Sequence, residues 1–271
     1  MSIFVFFCSW VLFTTLMSVF IENKWLIFLW VPLGYVVALL TFIGFVFIML
    51  NTYFRKKKFS DRVHVNFCRS TAILLDRFVF RVNVKFENKD KVPADRRIVC
   101  YANHRSRVDA LIMMEAFNRP SAFTPKDGLY RIRVLHDWFT RLGCMKVTRD
   151  NDRETAKELV KAIQRVREGL LMVIYPEGTT KDHETDLMDP ARLGSYKMAL
   201  KAEADILPVS IYGSHLIKKN SPFKKTRIYV KIHDIIPYET FKDMKTSEID
   251  PIVQSKINEG ILELQTAHQQ R

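Results

Sequence analysis

The sequence predicts an α/β protein: a mixed, mostly parallel sheet flanked by helices, preceded by an N-terminal membrane-embedded helical hairpin. From about residue 80 onward, short apolar runs alternate with longer amphipathic stretches, a pattern typical of strands separated by helices. Residues 1–54 contain one basic and one acidic residue, Lys24 and Glu22, so the net charge of +13 lies entirely in residues 55–271. We therefore predict two parts, a hairpin of two hydrophobic helices over residues 1–54 and a globular domain over residues 55–271.

Two long apolar runs make up the first part. Met1–Ile21 carries no charge, and Trp25–Leu50 follows after a short link. A helix rises about 1.5 Å per residue, so about twenty residues cover the roughly 30 Å hydrocarbon core of a bilayer. The basic cluster Arg55-Lys56-Lys57-Lys58 comes next; the positive-inside rule puts it on the cytoplasmic side, where it can bind anionic headgroups. Two full spans and a hairpin lying in one leaflet both fit the sequence.

Strands and helices alternate through the second part. The clearest helix is Asp152–Glu168, in which apolar residues recur at helical spacing, with Asn151 or Asp152 as the cap and Gly169 at the end. A final helix is predicted over Ser247–Gln265. The predicted strands are Phe80–Phe86, Arg97–Ala102, Ser121–Thr124, Met145–Thr148, Leu170–Tyr175, Ile206–Tyr212 and Arg227–His233.

Charge and cysteine content narrow the classes of partner and site. The excess of 42 Lys and Arg over 29 Asp and Glu suits phospholipid headgroups, phosphorylated metabolites or nucleic acid, and the charge alone does not choose among them. The four cysteines are widely spaced and include no CxxC pair, which argues against a zinc site or a disulfide framework.

The segment Asn103–Asp109 follows a predicted strand and holds a candidate catalytic pair. A histidine just before a helix, such as His104, stays neutral and able to accept a proton, because the positive end of the helix disfavours the imidazolium. A carboxylate in the first helical turn, Asp109, can bind the other ring nitrogen and stabilise the cation formed during reaction. The alternative is a capping box, Ser106-x-x-Asp109, with His104 an ordinary loop residue.

Three further segments stand at strand ends. Gly143–Arg149 ends in Arg149, whose planar guanidinium can bind two oxygens of a phosphate. The alternative is that this arginine forms a surface salt bridge. Tyr175–Thr180 runs into a glycine turn with a carboxylate and two hydroxyls, and can equally be a plain polar turn. Ile206–Val209 contains Pro208, which alone indicates an edge strand or the first residue of a strand.

These four segments, in this order, resemble the blocks of the glycerolipid acyltransferase family that includes the lysophosphatidic acid acyltransferases. That family carries an NHxxxxD block, a GxxFIxR block, an FPEGTR block and a proline-containing apolar strand. The resemblance covers about residues 80–235, and the hydrophobic hairpin before them is similar too.

The resemblance implies an acyl transfer and assigns its residues. His104 would act as general base on the hydroxyl of lysophosphatidic acid, with Asp109 orienting it, and the hydroxyl would attack the thioester of acyl-CoA or acyl carrier protein without an acyl-enzyme. Residues 55–271 would then form the catalytic domain, on the cytoplasmic side of a membrane with anionic lipids, with no metal, no bound cofactor and no nucleic acid. The residues expected to bind substrate are Asn103, Lys146, Arg149, Glu177, Gly178, Thr179, Lys181 and Pro208.

Two departures from the family blocks bear on the acceptor. Thr180, followed by Lys181, stands where the third block has arginine, and a lysine lacks the two-pronged geometry of a guanidinium. Lys146 stands where the second block commonly has phenylalanine, which adds positive charge. Another lysophospholipid or a lyso-aminolipid is therefore an alternative acceptor. The role of the acidic loop 181–194 is open.

Two other classes of protein compete with the acyltransferase. A hydrolase would need a serine or cysteine nucleophile within reach of His104, and the sequence has no GxSxG motif. A non-catalytic basic membrane tether would use exposed cations to bind anionic lipid or nucleic acid. The cations available to it are Lys218, Lys219, Lys224, Lys225 and Arg227.

Overall fold

The computed structural model describes residues 1–21, 23–56, 61–148, 151–180 and 184–268. Its first two helices, α1 (Ser2–Phe20) and α2 (Ile27–Asn51), pack side by side and are long and apolar enough to cross a membrane. Their close approach depends on Gly34, where a Cβ would fall 2.7 Å from the Thr14 hydroxyl oxygen. The two predicted apolar helices are therefore present, and they form a hairpin.

The hairpin is packed onto the next helix, α3 (Arg62–Leu74), rather than joined to it only through the chain. The Ser2 hydroxyl lies 2.9 Å from that of Thr71, and the Tyr35 hydroxyl donates to the carbonyl of Phe78. Of the basic cluster after α2, Arg55 is exposed, whereas Lys57 and Lys58 lie outside the described residues.

The sheet has six strands in the order β1-β6-β5-β2-β4-β3. All neighbouring pairs are parallel except β5 and β6, so the predicted mixed, mostly parallel sheet is confirmed. The central strands are buried along nearly their whole length, as expected for parallel strands covered by helices. The strands are β1 (Val82–Glu87), β2 (Ile98–Ala102), β3 (Ser121–Ala122), β4 (Leu171–Ile174), β5 (Asp205–Tyr212) and β6 (Thr226–Ile232).

Two expectations about strands are wrong. Met145–Thr148 forms no strand but a single bridge between Val147 and Lys126. The Val147 amide donates to the Pro125 carbonyl, and Pro125 has no N–H to continue a ladder. Pro208 is in a central strand, not an edge strand. It is tolerated there because it lies between the isolated Ile206–Ile236 bridge and the β6 ladder that begins at Val209.

Among the described residues, helices fill most of the segments between strands. The helix predicted from Asp152 starts there and is capped by the Asn151 side chain, which accepts a hydrogen bond of 3.0 Å from the Glu154 amide. The last helix is slightly longer than predicted and packs against β5. These helices are α4 (Asp109–Ala116), α5 (Arg133–Leu142), α6 (Asp152–Arg167), α7 (Lys197–Ala202), α8 (Ile217–Asn220) and α9 (Thr246–His268).

One edge of the sheet collects the polar segments. Strands β5, β2 and β4 are parallel neighbours, so their carboxyl ends lie at the same edge. The chain leaves these ends at Gly213, Asn103 and Tyr175. In open α/β sheets, ligands bind outside the carboxyl ends of the strands, so the fold presents this edge as the functional site.

Candidate active site

His104 and Asp109 are in contact at the end of β2. The ring Nδ1 lies 3.0 Å from Asp109 Oδ2; the carboxylate is fully buried, and the imidazole side chain is 18% exposed. With Nδ1 bound to the carboxylate, Nε2 is the nitrogen left to meet a substrate, and it has no partner among the described residues. The arrangement can accept a proton at Nε2 and stabilise the resulting cation through Asp109.

The capping interpretation of Asp109 also has support, and the two interpretations are compatible. Asp109 is the first residue of α4, and its Oδ2 accepts hydrogen bonds of 2.8 Å from the amides of Arg105 and Ser106. The Ser106 hydroxyl accepts from the Val108 amide at 3.2 Å. Because these bonds fix the carboxylate, the start of the helix itself orients the imidazole.

Tyr175 covers one face of the imidazole. The two ring centroids are 4.0 Å apart, and the ring planes are inclined by only 14°. Burial of the hydroxyl raises the pKa of Tyr175 well above its ordinary value, so the phenol stays neutral. Sequence reasoning gave Tyr175 no role, because nothing local in a strand-to-turn segment indicates which ring it will stack upon.

Glu177 supports the histidine loop. Its Oε1 accepts a hydrogen bond of 2.9 Å from the His104 amide, and its Oε2 pairs with the Arg105 guanidinium. Burial raises the pKa of Glu177, and Arg105 opposes that rise. Glu177 is buried and both its oxygens are bonded to the histidine loop, so it holds that loop in place; a substrate contact stays a prediction.

Asn103 and Pro208 also lie within the scaffold. The Asn103 amide donates to the carbonyls of Asp186 (2.9 Å) and Ile211 (2.8 Å), and its oxygen accepts from the Ile211 amide at 2.8 Å. Asn103 therefore ties the end of β2 to β5 and has no amide group left for substrate. Pro208 is buried in β5 opposite Tyr101, the second-last residue of β2.

Arg105 connects most of these parts and was missed by sequence reasoning. Its guanidinium bonds the Glu177 carboxylate, the His104 carbonyl at 3.0 Å, and the carbonyls of Thr185 and Leu187. Its side chain is only 1% exposed, and a buried guanidinium is stable only when its donors are satisfied. An arginine inside a catalytic block gives no local sign that it will be buried.

The acidic loop acquires a role through Asp186. Its carboxylate accepts hydrogen bonds from the Gly213 amide at 2.6 Å and the His215 amide at 3.1 Å, and it lies 2.8 Å from His215 Nδ1. Together with the bonds from Asn103 and Arg105, these contacts fasten the loop to the ends of β2 and β5. The site thus contains a second histidine–aspartate pair, Asp186–His215, which the sequence did not indicate.

The other predicted site residues fall into three groups. Gly178 has a φ of +71°, a conformation that favours glycine, and Thr179 beside it is half-buried. Lys146 forms an ion pair of 2.9 Å with Glu154, which lowers the pKa of that carboxyl, so its charge is partly neutralised by the protein. Arg149 and Lys181 lie outside the residues that the structure describes.

A thiol nucleophile and a metal centre both lack a basis in the described part of the chain. Burial raises the pKa of Cys144 to about 12, so its reactive thiolate is scarce near neutral pH. Within the described ranges, no three histidine, cysteine or carboxylate side chains are placed to share a metal ion.

Comparison with known proteins agrees with this geometry. The acyltransferase family model matches residues 83–212. The 1-acyl-sn-glycerol-3-phosphate acyltransferase of Borreliella burgdorferi is 27% identical over 189 residues, covering 69% of this chain and 74% of that protein. A probable 1-acyl-sn-glycerol-3-phosphate acyltransferase of Mycoplasma genitalium is 30% identical over 166 residues, covering 55% of this chain and 61% of that protein.

A solved structure shares the fold. The crystal structure of the 1-acyl-sn-glycerophosphate acyltransferase PlsC from Thermotoga maritima superposes with a TM-score of 0.65 at 22% identity, covering 83% of this chain and 88% of that one. The region matched by the family model contains the site residues described above except Gly213 and His215. Residues 83–212 therefore belong to the acyltransferase family, and the chain is an acyltransferase similar to the 1-acyl-sn-glycerol-3-phosphate acyltransferases.

Proposed function

We propose that the protein transfers a fatty acyl group from acyl-CoA or acyl carrier protein to the free hydroxyl of lysophosphatidic acid, giving phosphatidic acid. The observation that carries the chemistry is the His104–Asp109 pair at the carboxyl edge of the sheet, with Nε2 available to a substrate. The relatives named as 1-acyl-sn-glycerol-3-phosphate acyltransferases support the choice of acceptor.

In the proposed reaction, His104 Nε2 takes the proton of the acceptor hydroxyl as its oxygen attacks the thioester carbonyl carbon. A C–O bond forms, the C–S bond breaks, and the proton passes from Nε2 to the leaving sulfur. The imidazolium formed in between lies against the Asp109 carboxylate and the face of Tyr175, and both stabilise a cation. The acyl donor enters as a substrate, and the proposed reaction uses no resident cofactor or metal.

Direct transfer, without an acyl-enzyme, suits the thiols of the chain. Among the described residues only Cys8 is exposed, and it lies in the first hairpin helix. The three buried cysteines have pKa values raised by burial, which disfavours the nucleophilic thiolate.

We also propose that the hairpin of α1 and α2 holds the enzyme in a membrane, with the catalytic domain on the cytoplasmic, anionic side. Large apolar side chains on the hairpin, including Phe4, Phe20 and Phe28, are more than 70% exposed to solvent unless lipid covers them. The exposed Arg55 follows α2 where the positive-inside rule expects cytoplasmic charge. Lipid headgroups, not nucleic acid, are the proposed anionic partner.

A panel of acceptors tests the proposed reaction. The full chain in proteoliposomes is given labelled acyl-CoA or acyl carrier protein with lysophosphatidic acid, lysophosphatidylcholine, lysophosphatidylglycerol or a lyso-aminolipid. We expect turnover with lysophosphatidic acid. Turnover only with another acceptor would favour a remodelling acyltransferase, the second candidate, which the threonine at position 180 supports.

A His104→Ala variant separates catalysis from membrane binding. Loss of the general base should lower kcat by about 10²–10⁴-fold. The variant should remain in the membrane fraction, because His104 takes no part in the hairpin contacts of Ser2 with Thr71 and Tyr35 with Phe78. Unchanged function in this variant would favour the non-catalytic tether, and steady thioester hydrolysis by wild type without an acceptor would favour a hydrolase.

A further inference from the structure

An exposed arginine lies against the glycine of the Tyr175–Thr180 turn. A Cβ built on Gly178 would fall 2.9 Å from Arg192 Nε, 3.1 Å from its Cδ and 3.4 Å from its Cζ. The Arg192 side chain therefore occupies the space that any larger residue at position 178 would need. Its backbone is fixed as well, because the Arg192 amide donates a hydrogen bond of 2.9 Å to the Pro176 carbonyl.

This guanidinium differs from the other described cations of the site in having no partner among the residues that the structure describes. Arg105 donates hydrogen bonds to the Glu177 carboxylate and to carbonyls of the acidic loop, and Lys146 forms an ion pair with Glu154. Neither an ion pair nor a side-chain hydrogen bond joins Arg192 to another residue in the described part of the chain. Its two-pronged donor group therefore has no described partner at the turn that follows β4.

The sequence explains why such a donor is needed there. The third block of the family ends in arginine, whereas this chain has Thr180 at that position. Arg192 comes from the far side of the loop and reaches the same turn, two residues before Thr180, at Gly178. Arg192 therefore places a guanidinium at this turn, although the third block of this chain has no arginine at position 180.

We propose that Arg192 binds the phosphate of the acceptor, in place of the arginine missing at position 180. The inference rests on the proposed function, since it concerns how that reaction recognises a phosphate monoester. Gly178 directly follows Glu177, whose carboxylate holds the His104 amide, so phosphate and reacting hydroxyl would be held by adjoining parts of one turn. The planar fork of arginine matches two phosphate oxygens.

Kinetics of an Arg192→Gln variant test the proposal. We expect KM for lysophosphatidic acid to rise about 10- to 100-fold, because charge-assisted hydrogen bonds to one phosphate are lost, with kcat and the KM of the donor largely kept. Turnover of 1-acylglycerol, which lacks the phosphate, should not change. An equal loss with both acceptors would mean a structural role and would overturn the proposal, as would an unchanged KM.

Three further variants sharpen this test. Thr180→Arg added to Arg192→Gln should restore most of the affinity for lysophosphatidic acid, because it returns a guanidinium to the turn. Arg192→Lys alone keeps a positive charge and should retain part of that affinity. If the double variant is not rescued and Arg192→Lys retains no affinity, the proposed phosphate contact is contradicted. Arg167→Gln is the matched control. Arg167 is an exposed arginine at the end of α6, before β4, and therefore at the opposite edge of the sheet.

A binding measurement separates this inference from the proposed function. Calorimetric titration of the full chain in detergent with glycerol 3-phosphate reports phosphate recognition without turnover. Weaker binding by Arg192→Gln than by wild type supports the inference even if the acceptor panel selects a different phosphorylated lipid. Equal binding by both proteins overturns it even if wild type acylates lysophosphatidic acid. Thermal unfolding of each variant confirms that it is folded.

Discussion

At the scale of single residues, the imidazole of His104, the proposed general base, is restrained on three sides. Asp109 binds Nδ1, the Glu177 carboxylate holds the His104 amide, and Tyr175 stacks on the ring. Such restraint keeps Nε2 in one place, and a displaced catalytic group loses much of the benefit of proximity. The contacts with Asp109 and Tyr175 both strengthen when the ring becomes a cation, because a carboxylate and a π face each attract positive charge.

Replacing Tyr175 should therefore separate stacking from the hydroxyl. We expect Tyr175→Leu to lower kcat about 3- to 30-fold, since the π face that stabilises the imidazolium is removed. Tyr175→Phe keeps the ring and should stay within about twofold of wild type by the same reasoning. Initial rates at saturating donor and acceptor measure both. If the phenylalanine variant is as slow as the leucine variant, the buried hydroxyl and not the ring face is what matters.

The same scale shows what local sequence can reveal about a site. His104 and Asp109 are five residues apart and could be paired from the motif alone. Arg105 and Glu177 are 72 residues apart, and Asp186 and His215 are 29 apart, so their pairing depends on which strands become neighbours. For this reason the contact between His104 and Asp109 was predictable, whereas the contacts that support it were not.

At the scale of elements, β5 and α9 are joined by a buried histidine. His233, which follows β6, lies with Nε2 2.8 Å from the Ser210 hydroxyl, and that hydroxyl donates to the Ile257 carbonyl at 2.6 Å. Gly260 makes this approach possible, because a Cβ there would lie 2.5 Å from both the His233 ring and the Ser210 oxygen. The helix therefore packs on the sheet through a neutral imidazole.

Acid should weaken this junction. Burial, followed by the charges of Lys231 and Lys256, lowers the pKa of His233 from 6.5 to about 4. Between about pH 6.5 and 4 the imidazole of His233 is protonated in the unfolded chain but neutral in the native state. The free energy of unfolding is therefore highest above about pH 6.5 and falls as pH is lowered towards 4, by about 2–3 kcal/mol at most. Urea unfolding at several pH values measures the loss. His233→Gln should flatten this dependence, and an unchanged slope would contradict it.

The elements themselves were largely predictable. Strands buried on both faces appear as continuous apolar runs, so β1, β2, β4, β5 and β6 lie close to their predicted positions. The failure at Met145–Thr148 came from its partner, because Pro125 cannot extend the ladder and β3 is only two residues long. Propensity describes one segment, whereas a strand also needs a neighbour that can pair with it.

At the scale of the whole molecule, a second exposed surface lies on the side of the hairpin. Phe223 is 85% exposed between two pairs of lysines, and its carbonyl accepts a hydrogen bond of 3.0 Å from Arg81. Arg81 follows a helical turn whose Phe78 packs against Phe6 and Phe7 of α1. An aromatic ring flanked by cations is suited to the boundary between headgroups and acyl chains. The lysines are Lys218, Lys219, Lys224 and Lys225.

A Phe223→Trp variant reports by fluorescence whether this surface enters the membrane. In proteoliposomes containing phosphatidylglycerol we expect the tryptophan emission added by the substitution to shift to the blue relative to detergent, and brominated acyl chains to quench it, because the ring enters the interface. Adding Lys224→Gln and Lys225→Gln should reduce the shift, since each basic residue near an anionic surface contributes about 1 kcal/mol. Emission indifferent to brominated lipid would show that the loop stays in water.

The packing of Ser2 on Thr71 and of Tyr35 on Phe78 has a consequence for the choice of acceptor. A flexible tether would let the catalytic domain sample many heights, but a hairpin packed against α3 holds the domain at one fixed level. In the proposed membrane-bound enzyme, this packing fixes the depth of His104 Nε2 along the bilayer normal. A hydroxyl on the glycerol of a membrane lipid is held at that depth and can reach Nε2. The same hydroxyl on a dissolved molecule is not brought there by the membrane. The depth of Nε2 would therefore favour lipid acceptors over soluble ones.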